Sequence, residues 1–222
     1  MKQLEGFANA ELRGISVRRL VYEGDPESQI AAFAHAERVE LVVMPTHGYG
    51  VLRRYLIGSV TAKVLHDVMC PVLTGVHMEY EAPSAHVRIS NMVCALDLHS
   101  RSRETLAWAG RLAADFAAKL HVIHVVPSLS PGLDAGFSSS LQQEMEEIAR
   151  EDIKKLEVEL AADSVSTCIQ EGDVARQVGS FTHSIGAELL IIGRGAQGDK
   201  IERLRTNAYA IIRQAPCPVF SV

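Results

Sequence analysis

The chain has 222 residues with 22 basic and 27 acidic side chains, a formal charge of −5; this gives no electrostatic reason to expect nucleic acid or an anionic membrane as partner. Apolar residues make up 47% of it, the ordinary share for a globular α/β protein of one large or two modest domains. No apolar run approaches a membrane span, and Met1-Lys2-Gln3-Leu4-Glu5 does not begin a secretory signal. The four cysteines, Cys70, Cys94, Cys168 and Cys217, are scattered with no C-x-x-C pair. They read as small buried hydrophobes in a reducing, cytoplasmic setting, and nothing resembles a zinc site.

In chain order, residues 1 to 13 read as the remnant of a helix and Ile15 to Tyr22 as a strand. Gly24-Asp25-Pro26 starts a helix, because Asp25 can cap it and Pro26 at its first position loses no useful donor. Leu41 to Met44 is an apolar run without alternation, as for a strand buried on both faces of a parallel sheet. A glycine loop follows (Thr46 to Gly50), then a basic and apolar segment, then Gly58-Ser59-Val60-Thr61 opening a helix with Val60, Val64, Leu65 and Val68 on one side. Cys70-Pro71 stops that helix, and Val72 to Val76 is the next strand.

Strand, glycine loop and Gly-Ser at a helix start is an arrangement whose free N–H groups and helix dipole can hold an anion. The alternative is a connector whose glycines merely relieve backbone strain. Residues 77–88, polar and aperiodic around Pro83-Ser84, form a linker. Beyond it, Met92 to Leu96 is a strand ending in Asp97, and a helix runs from about Arg103 to Lys119 with Leu106, Ala109, Leu112, Ala113 and Phe116 on one face. Leu120 to Val126 is a strand, Pro127 to Ser140 a loop rich in Ser, Gly and Pro, and Leu141 to Ala162 a charged amphipathic helix. Val165 to Gln170, Glu188 to Ile192 and Val219 to Val222 complete the strands, with a helix capped by Asp173 and a last helix between them. Such alternation predicts a parallel sheet whose ligands sit at the carboxyl ends of the strands.

The pattern occurs twice. Glu23-Gly24-Asp25 returns as Glu171-Gly172-Asp173 and Glu40-Leu41-Val42-Val43 as Glu188-Leu189-Leu190-Ile191, both 148 positions on; Cys70-Pro71-Val72 returns as Cys217-Pro218-Val219 after 147. A period this long means tandem domains, not a solenoid. The expected division is a first domain over 1–76, a linker over 77–88 and a complete second domain over 89–222. Counted back from Asn91, the first copy lacks its opening third to half.

Strand-Asp near a domain start, Gly-Asp-Pro before a helix, and G-x-x-G-x9-G-[ST] before a helix closing in Cys-Pro-Val resemble the universal stress protein family, and the doubling resembles its two-domain members. The resemblance implies two tandem parallel-sheet α/β domains of the adenine nucleotide α-hydrolase-like type, the first truncated. It also implies pairing through the last strand, and in some members ATP, possibly with magnesium, with adenosine near the first-strand Asp. Carried over by position, the first copy offers Met44, His47, Gly48, Gly58, Ser59, Val60 and Thr61 for ATP contacts, but has Pro45 where the family has its first glycine. The second copy keeps Asp97 and Gly193, has Ala196 for the middle glycine, and places Arg205-Thr206 where Gly58-Ser59 would stand, Thr206 retaining the hydroxyl.

Each feature has a plainer reading beside the functional one. Asp97 either bonds a ribose or adenine or holds the turn into the next helix, and Gly58-Ser59 would cap a helix with no ligand. His47 reads as a solvated loop residue, Arg53-Arg54 as a solvated face and Trp108 as core. His121 and His124, three apart on a strand, face opposite sides and do not make a metal pair. Three functions follow: an ATP-responsive binding module acting through a homodimer, higher homo-oligomer or partner; a slow ATPase or phosphotransfer enzyme; and a structural or interaction protein with degenerate sites. No carboxylate-plus-base set and no Walker lysine supports the enzyme.

Overall fold

The apolar runs become the strands of one sheet, and the amphipathic segments become the helices that cover it. The computed structural model describes residues 4, 6–46, 57–75, 88–128, 135–160, 165–195 and 203–222, with backbone alone at 135–138 and 203–206. The elements are α1 (Pro26–Ala36), β1 (Val42–Pro45), α2 (Ser59–Asp67), β2 (Val72–Gly75), β3 (Asn91–Ala95), α3 (Ser102–Phe116) and β4 (Lys119–Val126). They continue with α4 (Ala135–Glu159), β5 (Ser166–Glu171), α5 (Val174–Ile185), β6 (Leu189–Ile192), α6 (Arg203–Gln214) and β7 (Val219–Ser221).

The strands lie in the order β1-β2-β7-β6-β3-β4-β5, and every neighbouring pair is parallel except β2 with β7. On one face Ala34, Val64, Leu65, Val178, Ile211 and Ile212 of α1, α2, α5 and α6 bury the sheet. On the other, Leu106, Ala109 and Ala113 of α3 and Ile153 of α4 do so. The two Gly-Asp turns start helices as their residues predict: Asp25 accepts from Ser28 N and Oγ, and Asp173 from Arg176 N at 2.9 Å. Trp108 packs on Phe220 with ring centroids 5.7 Å apart and carries the Arg111 guanidinium on its face. The four cysteines are free thiols, and burial pushes Cys217 up to about 12, leaving it a protonated, inert hydrophobe.

The antiparallel pair is symmetric. Leu73 stands opposite Phe220, Val72 opposite Ser221 and Thr74 opposite Val219. Thr74 Oγ1 donates to Val219 O and Ser221 Oγ to Val72 O, at 3.3 and 3.0 Å. At the 147-residue offset of this region each bond is the image of the other, so a local two-fold passes between Leu73 and Phe220. Tyr209 Oη donates at 2.8 Å to the carbonyl of Ala62, again its own image in the other copy.

Several expectations are corrected. Ile15 to Tyr22 pairs with no strand, and Ile15, Val21 and Tyr22 are exposed. Its counterpart β5 is held by β4, and no described strand of the first copy takes the place of β4. Leu41 to Met44 is not buried on both faces: β1 is an edge strand, with Leu41 and Val43 exposed. The edge also explains how Pro45, which lacks a ladder donor, ends that strand. Residues 6–14 form successive turns instead of a regular helix. Helix α3 ends at Phe116, because Ala117 adopts a left-handed φ of 51°, and Phe116 is exposed instead of joining the buried face. Helix α4 starts at Ala135, inside the segment expected to be loop; extending a formed helix needs no new nucleus, so weak formers such as Ser are absorbed.

His121, on β4, gives a pH signature. Its Nε2 is buried without a partner among the described residues, and burial, with the Lys119 charge, lowers its pKa. The unfolded chain therefore takes up the proton first as pH falls, so stability is full above the unfolded imidazole value of about 6.5 and declines below it. The thermal midpoint is expected to drop between pH 7 and pH 5, and His121→Phe to flatten that part of the profile. An unchanged slope in the variant would assign the loss to other groups.

Candidate functional site

The carboxyl ends of β3, β4 and β6 surround a pocket of about 670 Å³, a size that suits a small organic ligand. Its walls are apolar: Ile123 and Val125 of β4, Val174 and Val178 of α5, and Ala208 and Ile211 of α6. The polar groups on it are Asp97, His99, His124, Asp152 and Asn207. Asp97 lies just past β3, where Leu98 holds a left-handed φ of 58°. A non-glycine residue in that conformation costs on the order of 1 kcal/mol and tends to sit at a functional turn. Asp97 Oδ1 accepts from His99 N at 3.0 Å and from Ser102 Oγ at 2.9 Å. Thus one carboxylate oxygen holds the turn into α3, as the plainer reading expects, while Oδ2 has no partner among the described residues.

His124 was not singled out as a site residue from sequence, yet it lines this pocket. Its Nδ1 bonds Leu96 O at 2.8 Å, and because a carbonyl only accepts, Nδ1 carries the proton and Nε2 of the neutral ring is left an acceptor. Asp152 and Asn207 were also missed; they come from helix turns whose sequence spacing says nothing about a cavity. Gly193 follows β6 as expected and lines the pocket. A Cβ there would stand 2.9 Å from Thr105 Oγ1, so any other residue would displace that hydroxyl, a packing reason for glycine that needs no ligand.

Next to it, Arg194 reaches across to the first copy. Its guanidinium donates to the carbonyls of Leu65, Val68 and Cys70 at 2.8, 3.1 and 2.7 Å, at the end of α2. Burial lowers its pKa, and the negative end of the helix dipole compensates the buried charge. Arg101 ties the same loop from the other side, donating to Gly195 O.

The remaining expected residues scatter. In the first copy, Met44 packs into the core, Gly58 N donates to Thr46 O at 2.8 Å, and buried Thr61 donates through Oγ1 to Pro45 O at 3.0 Å. Ser59 begins α2 on the surface with Val60 behind it, and no side chain caps that helix. His47, Gly48, Arg53, Arg54 and Ala196 lie outside the described residues, as do the side chains of Arg205 and Thr206. No group of three metal-ligating side chains occurs among the described residues, and no described helix is long and apolar enough to cross a membrane.

The model of the Universal stress protein family matches residues 2–74 and 88–222. A universal stress protein of Methanocaldococcus jannaschii is 39% identical over 64 residues, which are 29% of this chain and 38% of that protein. The chain thus spans well under half the length of that curated relative. Universal stress protein A homolog 1 of Coxiella burnetii is 26% identical over 136 residues, 60% of this chain and 94% of its own. Among solved structures, a universal stress protein from Archaeoglobus fulgidus superposes with a TM-score of 0.65 at 24% identity, covering 99% of this chain and 76% of that one.

Proposed function

We propose that this chain, which belongs to the universal stress protein family, is a stress-response regulator that binds an adenine nucleotide and acts through contacts with a second copy or a partner. The observation that carries the proposal is the pocket at the carboxyl ends of β3, β4 and β6, with Asp97 in its lining and a volume of about 670 Å³ between largely apolar walls. ATP, with magnesium, is the ligand the resemblance names; Asp97 and Gly193 would meet it in the second copy, and Ser59, Val60 and Gly58 belong to the separate half-site of the first. The reading divides the chain into units at 1–76 and 89–222, places it in the cytoplasm and assigns no catalytic residue.

Oligomer contacts are supported by the edge strand β1 and the exposed apolar Leu41 and Val43 beside it, since such edges in stable proteins are covered or paired. A second reading, an interaction protein that binds no nucleotide, is favoured by Thr61: its hydroxyl proton is committed to Pro45 O and not free for a phosphate.

The test is calorimetric titration of the full chain with adenosine, AMP and Mg-ATP, with the guanine series as control. Binding of any adenine ligand at micromolar concentration is expected, with Asp97→Ala weakening it at least tenfold while circular dichroism stays unchanged. Light scattering with and without ligand then reads the oligomer half of the proposal. Silence from the whole adenine series at millimolar concentration moves the conclusion to the interaction protein.

A further inference from the structure

We propose, resting on the adenine reading above, that the pocket of the second copy selects the nucleoside and not the nucleoside triphosphate. Three independent observations lead there. The first is where the helices start. Helix α2 begins at Ser59, and its first backward bond is Ala62 N to Gly58 O, so the amides of Ser59, Val60 and Thr61 precede the intrahelical ladder. Their counterparts 147 residues on are Thr206, Asn207 and Ala208. Helix α6 begins three residues earlier, at Arg203. Thr206 is then the fourth helical residue, and the amides of Asn207 and Ala208 lie where backward bonds to Arg203 and Leu204 form within α6. Two of the three donors that would cradle a phosphate at this position are consumed by the extra turn.

The second observation is charge. Among the described residues lining the pocket, the two with formal charge, Asp97 and Asp152, are both carboxylates. The Asp152 side chain also accepts from Lys155 Nζ at 2.9 Å, on an exposed stretch of α4. A triphosphate would carry its several negative charges toward Asp97, while Lys155 offsets the charge of Asp152. The third is hydrogen-bond polarity. The Asp97 carboxylate, the Asp152 carboxylate and the bare Nε2 of His124 are acceptors. Ribose hydroxyls and an exocyclic amine supply donors that match them, whereas phosphate oxygens supply none. The pocket thus fits an uncharged nucleoside and leaves a phosphate tail unmatched.

The experiment compares adenosine, AMP and Mg-ATP by calorimetry on the full chain at fixed ionic strength. Adenosine is expected to bind at least tenfold more tightly than Mg-ATP, with AMP between them. Asp97→Asn, which keeps the turn's acceptor oxygen and removes the charge, is expected to narrow that ratio severalfold. Mg-ATP binding as tightly as adenosine, or more tightly, overturns the inference and leaves the adenine reading standing. Silence from all three overturns both.

Discussion

Replacing Arg194 with methionine is expected to lower the free energy of unfolding by about 3 kcal/mol, moving the thermal midpoint down by roughly 6–12 °C for a chain of this length. Methionine fills the apolar course of the side chain but leaves the carbonyls of Leu65, Val68 and Cys70 without their donors. The loss falls at the junction of the two copies, because Arg194 belongs to the loop after β6 and its partners to the end of α2. Faster amide exchange is therefore expected over residues 59–70 first, before the central strands. Arg194→Lys keeps the charge but not the fork that reaches several carbonyls together, and should recover about half of the loss. Urea unfolding of the two variants checks both values. A methionine variant within about 0.5 kcal/mol of the parent would mean that water serves those carbonyls as well as the guanidinium does.

The second large effect compares one position in the two copies. Ile191 and Val43 stand 148 residues apart in matching strands. Ile191 is 0% exposed, packed in the cluster with Met92, Leu106 and Ile153, whereas Val43 is 67% exposed. Ile191→Ala should cost about 3 kcal/mol, from lost transfer energy and the cavity left in a close-packed core. Val43→Ala should change stability by less than about 0.5 kcal/mol. Chemical denaturation of the two variants side by side is the measurement, and a Val43→Ala loss approaching that of Ile191→Ala would show that the outer face of β1 is covered in solution.

Two of the residues expected from sequence, Asp97 and Gly193, line the pocket, and the lining that was not legible has one cause. Asp97 is found from sequence because a strand end followed by Asp is a local signature, and Gly193 because the family resemblance carries it over by position. His124, Asp152 and Asn207 come from three separate elements, and only the sheet order brings them to one cavity. Gly193 shows the reverse: the motif points to a ligand, while the nearby Thr105 hydroxyl gives a packing reason for glycine without one. Arg194, between two glycines, carries no periodic signal at all, and its partners lie more than a hundred residues away.

The sequence by itself determined the element alternation, the repeat at 148 and then 147 residues, and hence the parallel α/β class and the likeness of the two copies. These are properties of local pattern: apolar runs, helical spacing and turn residues act over a few positions. Only the tertiary structure decided that Val43 is open while Ile191 is closed, that Ile15 to Tyr22 forms no strand, and that α6 starts a turn before its counterpart. Burial and strand pairing belong to neighbours, not to the residue. Two stretches that share a pattern of landmarks diverge when one has β3, β4, α3 and α4 beside it and no described element takes their place beside the other.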